Sequence, residues 1–335
     1  MKDTIERKRL AILRILNETK SPLVSHIITE KLLDMGFDIS ERTVRFHLLS
    51  MDKAGLTKDL GKQGRFITEK GMMELKRARI AEKVGFLAAK IDQMIYQMTF
   101  NLEKLEGSVV ANLSLIEKKD IERSIFLMSK VFKAGYSMGS LITLFKSNEK
   151  IGEIIIPEGF LGIGTVCSIT INGVLLSYGI PTTSRFGGLL EIIDRKPTRF
   201  VALINYNGTS LDPLEIFIKS GMTDYSGAID SGNGQIGASF REMPAASRDR
   251  VIELAQKLDN VGLGAFMKIG WPGQPLLEIP ISEGRIGAII IGGLNPIAIL
   301  DEVDRDIYSQ TLSGFVDYKR LFPYYELNDR LHDYL

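Results

Sequence analysis

The sequence predicts an α+β chain in two parts: a small basic module of three helices and a β-hairpin, then a larger mixed α/β domain with largely antiparallel sheets. Three observations predict it. Residues 1–80 carry 17 Lys and Arg against 11 Asp and Glu, whereas the rest of the chain carries 25 against 30. Apolar residues recur at helical spacing through the first 55 or so positions. The 32 glycines of the 335-residue chain suggest many turns and β-structure rather than a helical bundle. A hydrophobic fraction of 44% and a charged fraction of 25% rule out a disordered or fibrous chain. The boundaries read as 1–80 for the small module and 81–330 for the large one, with 81–105 as a linker helix.

The first helix runs from about Ile5 to Asn17, with Ile5, Leu10, Ile12, Leu13 and Leu16 on one face. Ser21-Pro22 suits the start of a second helix, and Gly36 its end. Ser40 caps a third, in which Val44, Leu48, Leu49 and Met51 hold the helix to its neighbours while Arg42, Arg45, Phe46 and His47 face outward. Leu60 leads into the glycine-rich turn Gly61-Lys62-Gln63-Gly64-Arg65 and then Phe66-Ile67, a basic wing. Together these read as a winged helix-turn-helix. Ser40, Arg42, Thr43, Arg45 and His47 on the third helix, with Lys62 and Arg65 on the wing, are the expected contacts to double-stranded DNA. The bland alternative is a helical module with a solvated charged face. From Gly71 to about Phe100 the chain reads as helical.

In the larger part, Ser108–Ile116, Lys118–Phe132 and Ser140–Phe145 read as strand, helix and strand. Short strands are expected at 154–156, 164–171, 174–178 and 200–206. A faint echo links Gly162-Ile163-Gly164 to Gly262-Leu263-Gly264, and Leu211-Asp212-Pro213 to Leu294-Asn295-Pro296. Duplication and chance both account for it.

Candidate chemistry is sparse. One cysteine and three histidines, His26, His47 and His332, exclude a disulfide framework, a cysteine-rich zinc site and a histidine-rich metal site. No catalytic residue and no cofactor is assigned. There is no P-loop, and Gly232-Asn233-Gly234-Gln235-Ile236-Gly237 lacks the helix that its spacing would need, so it reads as a turn. The remaining donors near glycines suit a small anion: Cys167, Ser168, Thr183, Ser184, Arg185, Thr209 and Ser210. The start, Met1 to Leu10, is charged, and the longest apolar stretch, 286–300, is too short to span a bilayer. A cytoplasmic protein with no membrane partner is expected.

Several segments resemble the NrpR-type nitrogen repressors of methanogenic archaea in their single-regulatory-domain form. They are 164–173, 184–191, 207–215, 272–277, 284–287 and 292–296, with Ile39-Ser40-Glu41-Arg42-Thr43-Val44-Arg45 resembling the family's recognition helix. The resemblance implies a repressor of nitrogen-assimilation genes that binds operator DNA as a homodimer and is released by 2-oxoglutarate as effector. Some members carry tandem regulatory domains, and this chain has room for one, which implies a paralogous regulatory subunit as a further partner. The residues alone also fit a regulator sensing a different small anion, a DNA-tethered enzyme using Cys167, or a structural partner-binding protein.

Overall fold

The computed structural model describes residues 2–19, 21–81, 86–303 and 307–334. They fall into two compact units, Met1–Val84 and Gly85–Leu335. In the first unit, helices α1 (Lys2–Thr19), α2 (Ser25–Asp34) and α3 (Glu41–Lys53) precede the hairpin β1 (Thr57–Asp59) and β2 (Arg65–Ile67), and α4 (Glu69–Ala81) follows. Ile12, Leu16, Ile28, Leu32, Val44, Leu48, Met51 and Ile67 form one buried cluster, the apolar faces read from the sequence. This is a winged helix. Ser21-Pro22 does not open α2. Instead Leu23 joins the wing, exchanging backbone hydrogen bonds with Arg65 at 3.0 and 2.8 Å. Gly64 permits this approach: its φ is +99°, and a Cβ there would stand 2.2 Å from the Leu23 carbonyl oxygen.

The single helix expected over 71–100 is two, α4 and α5 (Phe86–Gln97). Residues 82–85, at the head of the expected 81–105 linker, lie outside the described residues, and α5 ends well before 105. The second unit continues with β3 (Ser108–Glu117), α6 (Ile121–Lys133), β4 (Leu141–Phe145), the two-residue pair β5 (Lys150–Ile151) and β6 (Ile154–Ile155), β7 (Phe160–Val166) and α7 (Ile169–Ser177). Then come β8 (Thr183–Ile193), β9 (Lys196–Asn205), α8 (Pro213–Lys219), α9 (Tyr225–Asp230), β10 (Gly234–Pro244), α10 (Arg248–Asn260), β11 (Phe266–Ile269) and β12 (Arg285–Ile291). The chain closes with α11 (Asn295–Asp301), β13 (Tyr308–Asp317), β14 (Phe322–Pro323) and α12 (Leu327–Leu331).

Two five-stranded sheets result, in the orders β13-β3-β7-β4-β14 and β11-β12-β10-β8-β9, and every pairing is antiparallel. The order reveals a duplication. β3-α6-β4-β7-α7-β8 and β10-α10-β11-β12-α11-β13 run through the same succession of elements. In each, the first strand lies beside the last core strand of its own repeat and the final strand of the other. Matching bonds confirm the equivalence. Cys167 N donates to Val110 O at 2.8 Å, and Gly292 N to Gly237 O at 3.0 Å. The same two carbonyls accept from Thr170 Oγ1 and Asn295 Nδ2.

The duplication is therefore real, but its register is not the one the sequence echo suggested. Gly262-Leu263 corresponds to Gly135-Tyr136, each glycine at φ near +75° just past a helix end. Two further expectations fail. Residues 174–178 lie mostly in helix α7, and 164–171 is divided between β7 and α7, because Ile169–Leu175 is buried on all sides and has no polar face to set a period. The stretch 232–237 is a turn only at its start, and Gly234 opens the central strand β10. Where the repeats meet, a Cβ on Gly293 would stand 2.3 Å from the Val166 carbonyl oxygen and 2.7 Å from Asn112 Nδ2. Gly293→Ala is expected to destabilise the second unit by about 1–3 kcal/mol, seen as a lower urea midpoint with an unchanged slope. Gly208→Ala, with nothing within 4 Å of its added Cβ, serves as the neutral control.

Candidate functional site

Helix α3 presents a clean exposed stripe of Arg42, Arg45, Phe46, Leu49, Ser50 and Lys53 and buries Val44, His47, Leu48 and Met51. Ser40 is the helix cap: its Oγ accepts from Thr43 N at 3.3 Å and lies 2.9 Å from Thr43 Oγ1. Both hydroxyls thus serve the helix start. Arg45 Nε donates to Ser25 Oγ at 3.1 Å, and its Nη2 to Glu41 Oε1 at 2.7 Å, while its side chain stays 64% exposed. Arg42 and Lys62 are exposed and make no hydrogen bond or ion pair among the described residues.

Two of the expected DNA contacts are corrected. His47 is buried at 5% exposure, and burial, with Lys8 and Arg9 nearby, pushes its imidazole pKa down, so it packs rather than faces outward. Arg65 is drawn inward, donating to Asp52 Oδ2 and Asp59 Oδ2 at 2.9 Å each, and braces the wing. Leu49, read as a packing residue, is instead exposed.

The second unit holds a feature that sequence reasoning missed. Arg241 on β10 is fully buried. Its Nη1 donates to Ser168 O at 2.9 Å and to Asn172 Oδ1, its Nη2 to Ser168 Oγ at 2.9 Å and weakly to Ser239 Oγ, and its Nε has no partner. No carboxylate pairs with it among the described residues. Burial lowers its pKa, yet a guanidinium stays charged in a protein. A buried cation held only by neutral oxygens is costly, and it is a ready anchor for an anion.

Asn172 carries the arrangement outward. Its Nδ2 donates to Ser184 Oγ at 3.1 Å, and both side chains line a cavity of about 220 Å³ with Thr182, Thr183, Tyr206 and the α5 residues Ile91 and Asp92. Arg285 Nη2 donates to Thr183 Oγ1 at 3.0 Å. Arg185 and Arg285 share one buried carboxylate, Glu242, at 2.8 and 3.4 Å, which leaves a surplus positive charge on that side. Burial alone would raise the Glu242 pKa, but Ser282 and Arg185 hold it below its ordinary value.

Of the residues expected to bind an anion, Ser168, Thr183 and Ser184 gather at this cavity or at Arg241. Cys167 is buried in an apolar cluster beside them, with its thiol pushed up to about 12 by burial, which disfavours the thiolate form. Arg185 is committed to Glu242 and to Pro280 O. Thr209 closes a local turn on Leu211, and Ser210 lines a separate cavity of about 330 Å³ with Lys90, Asp212 and Glu215. No helix among the described residues is long and apolar enough to cross a membrane.

Residues 84–322 match the family model described as NrpR regulatory domains NRD1 and 2. The chain belongs to the NrpR family. Residues 10–75 match a Ribonuclease R winged-helix domain model, in keeping with the fold of the first unit. The chain is similar to Global nitrogen regulator NrpRI of Methanosarcina mazei, 36% identical over 96% of this chain and 99% of that protein. Global nitrogen regulator NrpR of Methanococcus maripaludis is 33% identical over 87% of this chain and 50% of its own length, and its Methanocaldococcus jannaschii counterpart 32% over 88% and 51%. The crystal structure of a nitrogen repressor-like protein from Methanococcus jannaschii superposes with a TM-score of 0.60 at 25% identity, covering 70% of this chain and 97% of that one.

In this NrpR-family chain Asp212 supplies a titration that can be followed. It caps α8, accepting from Leu214 N at 2.8 Å, and is pushed up from 3.8 to about 7 by burial and by Glu215. The folded state therefore holds a proton that the unfolded state releases above pH 3.8. Its stabilising contribution is complete below that value and is lost as pH rises towards about 7, at up to about 1.4 kcal/mol per pH unit. Asp212→Asn, which keeps a capping side chain, is expected to flatten the fall in urea midpoint between pH 4 and 7.

Proposed function

We propose that the chain is a transcriptional repressor of nitrogen-assimilation genes that binds operator DNA as a homodimer through α3 and the wing and is released by 2-oxoglutarate. Family membership supports the nitrogen-regulatory role. The observation that supports the effector is the fully buried Arg241, which forms no ion pair among the described residues, behind a cavity lined by the Asn172 amide, the Thr183 and Ser184 hydroxyls and Asp92. One carboxylate of 2-oxoglutarate would take the guanidinium from Asn172 as a bidentate partner. The freed Asn172 amide, Thr183 and Ser184 would serve the keto oxygen and the second carboxylate.

Helix α5 gives the route to the DNA module. It carries Ile91 and Asp92 on the cavity wall, and residues 82–85 alone separate it from α4. A dianion entering beside Asp92 meets a like charge on that helix and favours a displaced α5. Ligand and operator then weaken each other's binding by the same factor. The chain matches about half the length of the Methanococcus maripaludis and Methanocaldococcus jannaschii relatives, and a paralogous regulatory subunit is a further partner in this reading. The reading is of a regulator rather than an enzyme, and the high thiol pKa of Cys167 argues against the nucleophile alternative.

Fluorescence anisotropy of labelled promoter duplex at fixed salt tests the proposal. Release by 2-oxoglutarate, but not by glutarate, is expected, and tight binding that ignores 2-oxoglutarate at saturation sinks it. Arg241→Lys, which keeps the charge but loses the fork, and Ser184→Ala should each raise the 2-oxoglutarate concentration needed at least tenfold while leaving ligand-free affinity for the duplex unchanged. On the DNA side, Arg42→Ala should cost roughly 1–3 kcal/mol on the operator and little on random duplex. Lys62→Ala should lower the salt slope by about one and spare sequence preference. Equal losses on all sequences from both variants would overturn this division.

A further inference from the structure

The exposed stripe of α3 is not purely polar. Phe46 is 70% exposed and Leu49 is 53% exposed, one turn apart, between Arg42 and Arg45 at one end and Lys53 at the other. The neighbouring ring of His47 lies 6.2 Å away edge-on and belongs to the buried face, so among the described residues Phe46 has no face-to-face stacking partner. Isolated exposed apolar residues are ordinary. Two large ones flanked by cations on the helix that a helix-turn-helix inserts are a reading surface that combines charge with an apolar centre.

We infer that Phe46 is a specificity residue that reads the C5-methyl of a thymine in the major groove. The inference rests on the operator-binding reading above and adds to it one base and one reader. The occupant follows from charge: the head of the chain is basic and the stripe is flanked by free or exposed cations, which suits a polyanionic duplex. The base follows from chemistry. A phenyl ring offers no donor or acceptor, and the thymine methyl is the one apolar group on any base edge in the major groove. The position follows from helix geometry. Phe46 lies four residues beyond Arg42, a rise of about 6 Å, or roughly two base pairs. The thymine should therefore stand within about two base pairs of the base that Arg42 contacts.

The full-length protein is used to recover preferred duplexes from a random pool, and each thymine is then replaced in turn by deoxyuridine, which removes the methyl alone. One position in each half-site should lose about fourfold in affinity, the factor expected for one buried methyl. Phe46→Ala should bind thymine and deoxyuridine duplexes equally at that position, Phe46→Leu should keep part of the preference, and Leu49→Ala should keep it whole. The side chain is exposed, so thermal midpoints of the variants should match the parent. Sequence-specific binding that is indifferent to deoxyuridine everywhere, or a Phe46→Ala protein that keeps the methyl preference, overturns the inference and leaves the repressor reading standing. A Phe46→Ala variant that instead changes oligomeric state would assign the face to a second copy and also overturn it. Recovery of no preferred duplex at all would overturn the repressor reading itself.

Discussion

Strands β8 and β13 each leave their own repeat and pair with the first strand of the other, and the second unit depends on that exchange. Neither sheet is complete without a strand from the opposite half. The bonds concerned span very long stretches of chain, as in Leu113 N donating to Ser313 Oγ, 200 residues away. Loop closure over such distances is costly until many contacts form together, so the two sheets should appear as one cooperative event. At the crossing point the backbones of Gly293 and Val166 approach so closely that a single methyl has no room. Small residues at this seam are a geometric condition of the topology rather than a packing preference.

The exchange also makes the buried site. β8 reaches β10 from the first repeat and carries Thr183 and Ser184 alongside Glu242 and Arg241, with a register shift between Phe240 and Arg241. α7 delivers Ser168 and Asn172 from the same repeat. Arg241 therefore donates hydrogen bonds to residues 69 and 73 positions away, and the polar cluster cannot exist until the strands have crossed. A site assembled at such a seam is well placed for control, because a ligand there touches both halves of the fold and helix α5 at once.

What was legible in the sequence follows from the range of the interactions. The helices of the first unit are set by apolar periodicity and caps within a few residues, and α3 with its wing stands where expected. Its outward and inward residues were partly misassigned: Leu49 and His47 exchange roles because a histidine and a leucine each suit either side of a helix. In the second unit β10 is buried on both faces and α7 on all sides, so neither shows the alternation or helical stripe that identifies its type. The hydroxyls Ser168, Thr183 and Ser184 can be singled out locally because they are hydrogen-bonding side chains within a few residues of glycines. Arg241 was missed because its meaning lies in its burial and in partners that no local spacing reveals.

The two repeats are not chemically equal, and the inequality bears on function. Ala111 pairs with Val166 as Ala238 pairs with Ile291, so Ser114 occupies in the first repeat the position that Arg241 occupies in the second. Ser114 simply shares a hydrogen bond with Ser309 at 2.9 Å. A fold that is content with a serine at this position has no structural need of a buried guanidinium there. The desolvation that Arg241 suffers, with Nε unpartnered, no ion pair among the described residues and only the longer-range charge of Asp212 to offset it, is then a stability loss kept at one of two equivalent places. Such local conflict concentrates at functional sites. An anion that supplies the missing charge would recover that loss on binding, and would do so at the end of the seam where α5 forms the cavity wall.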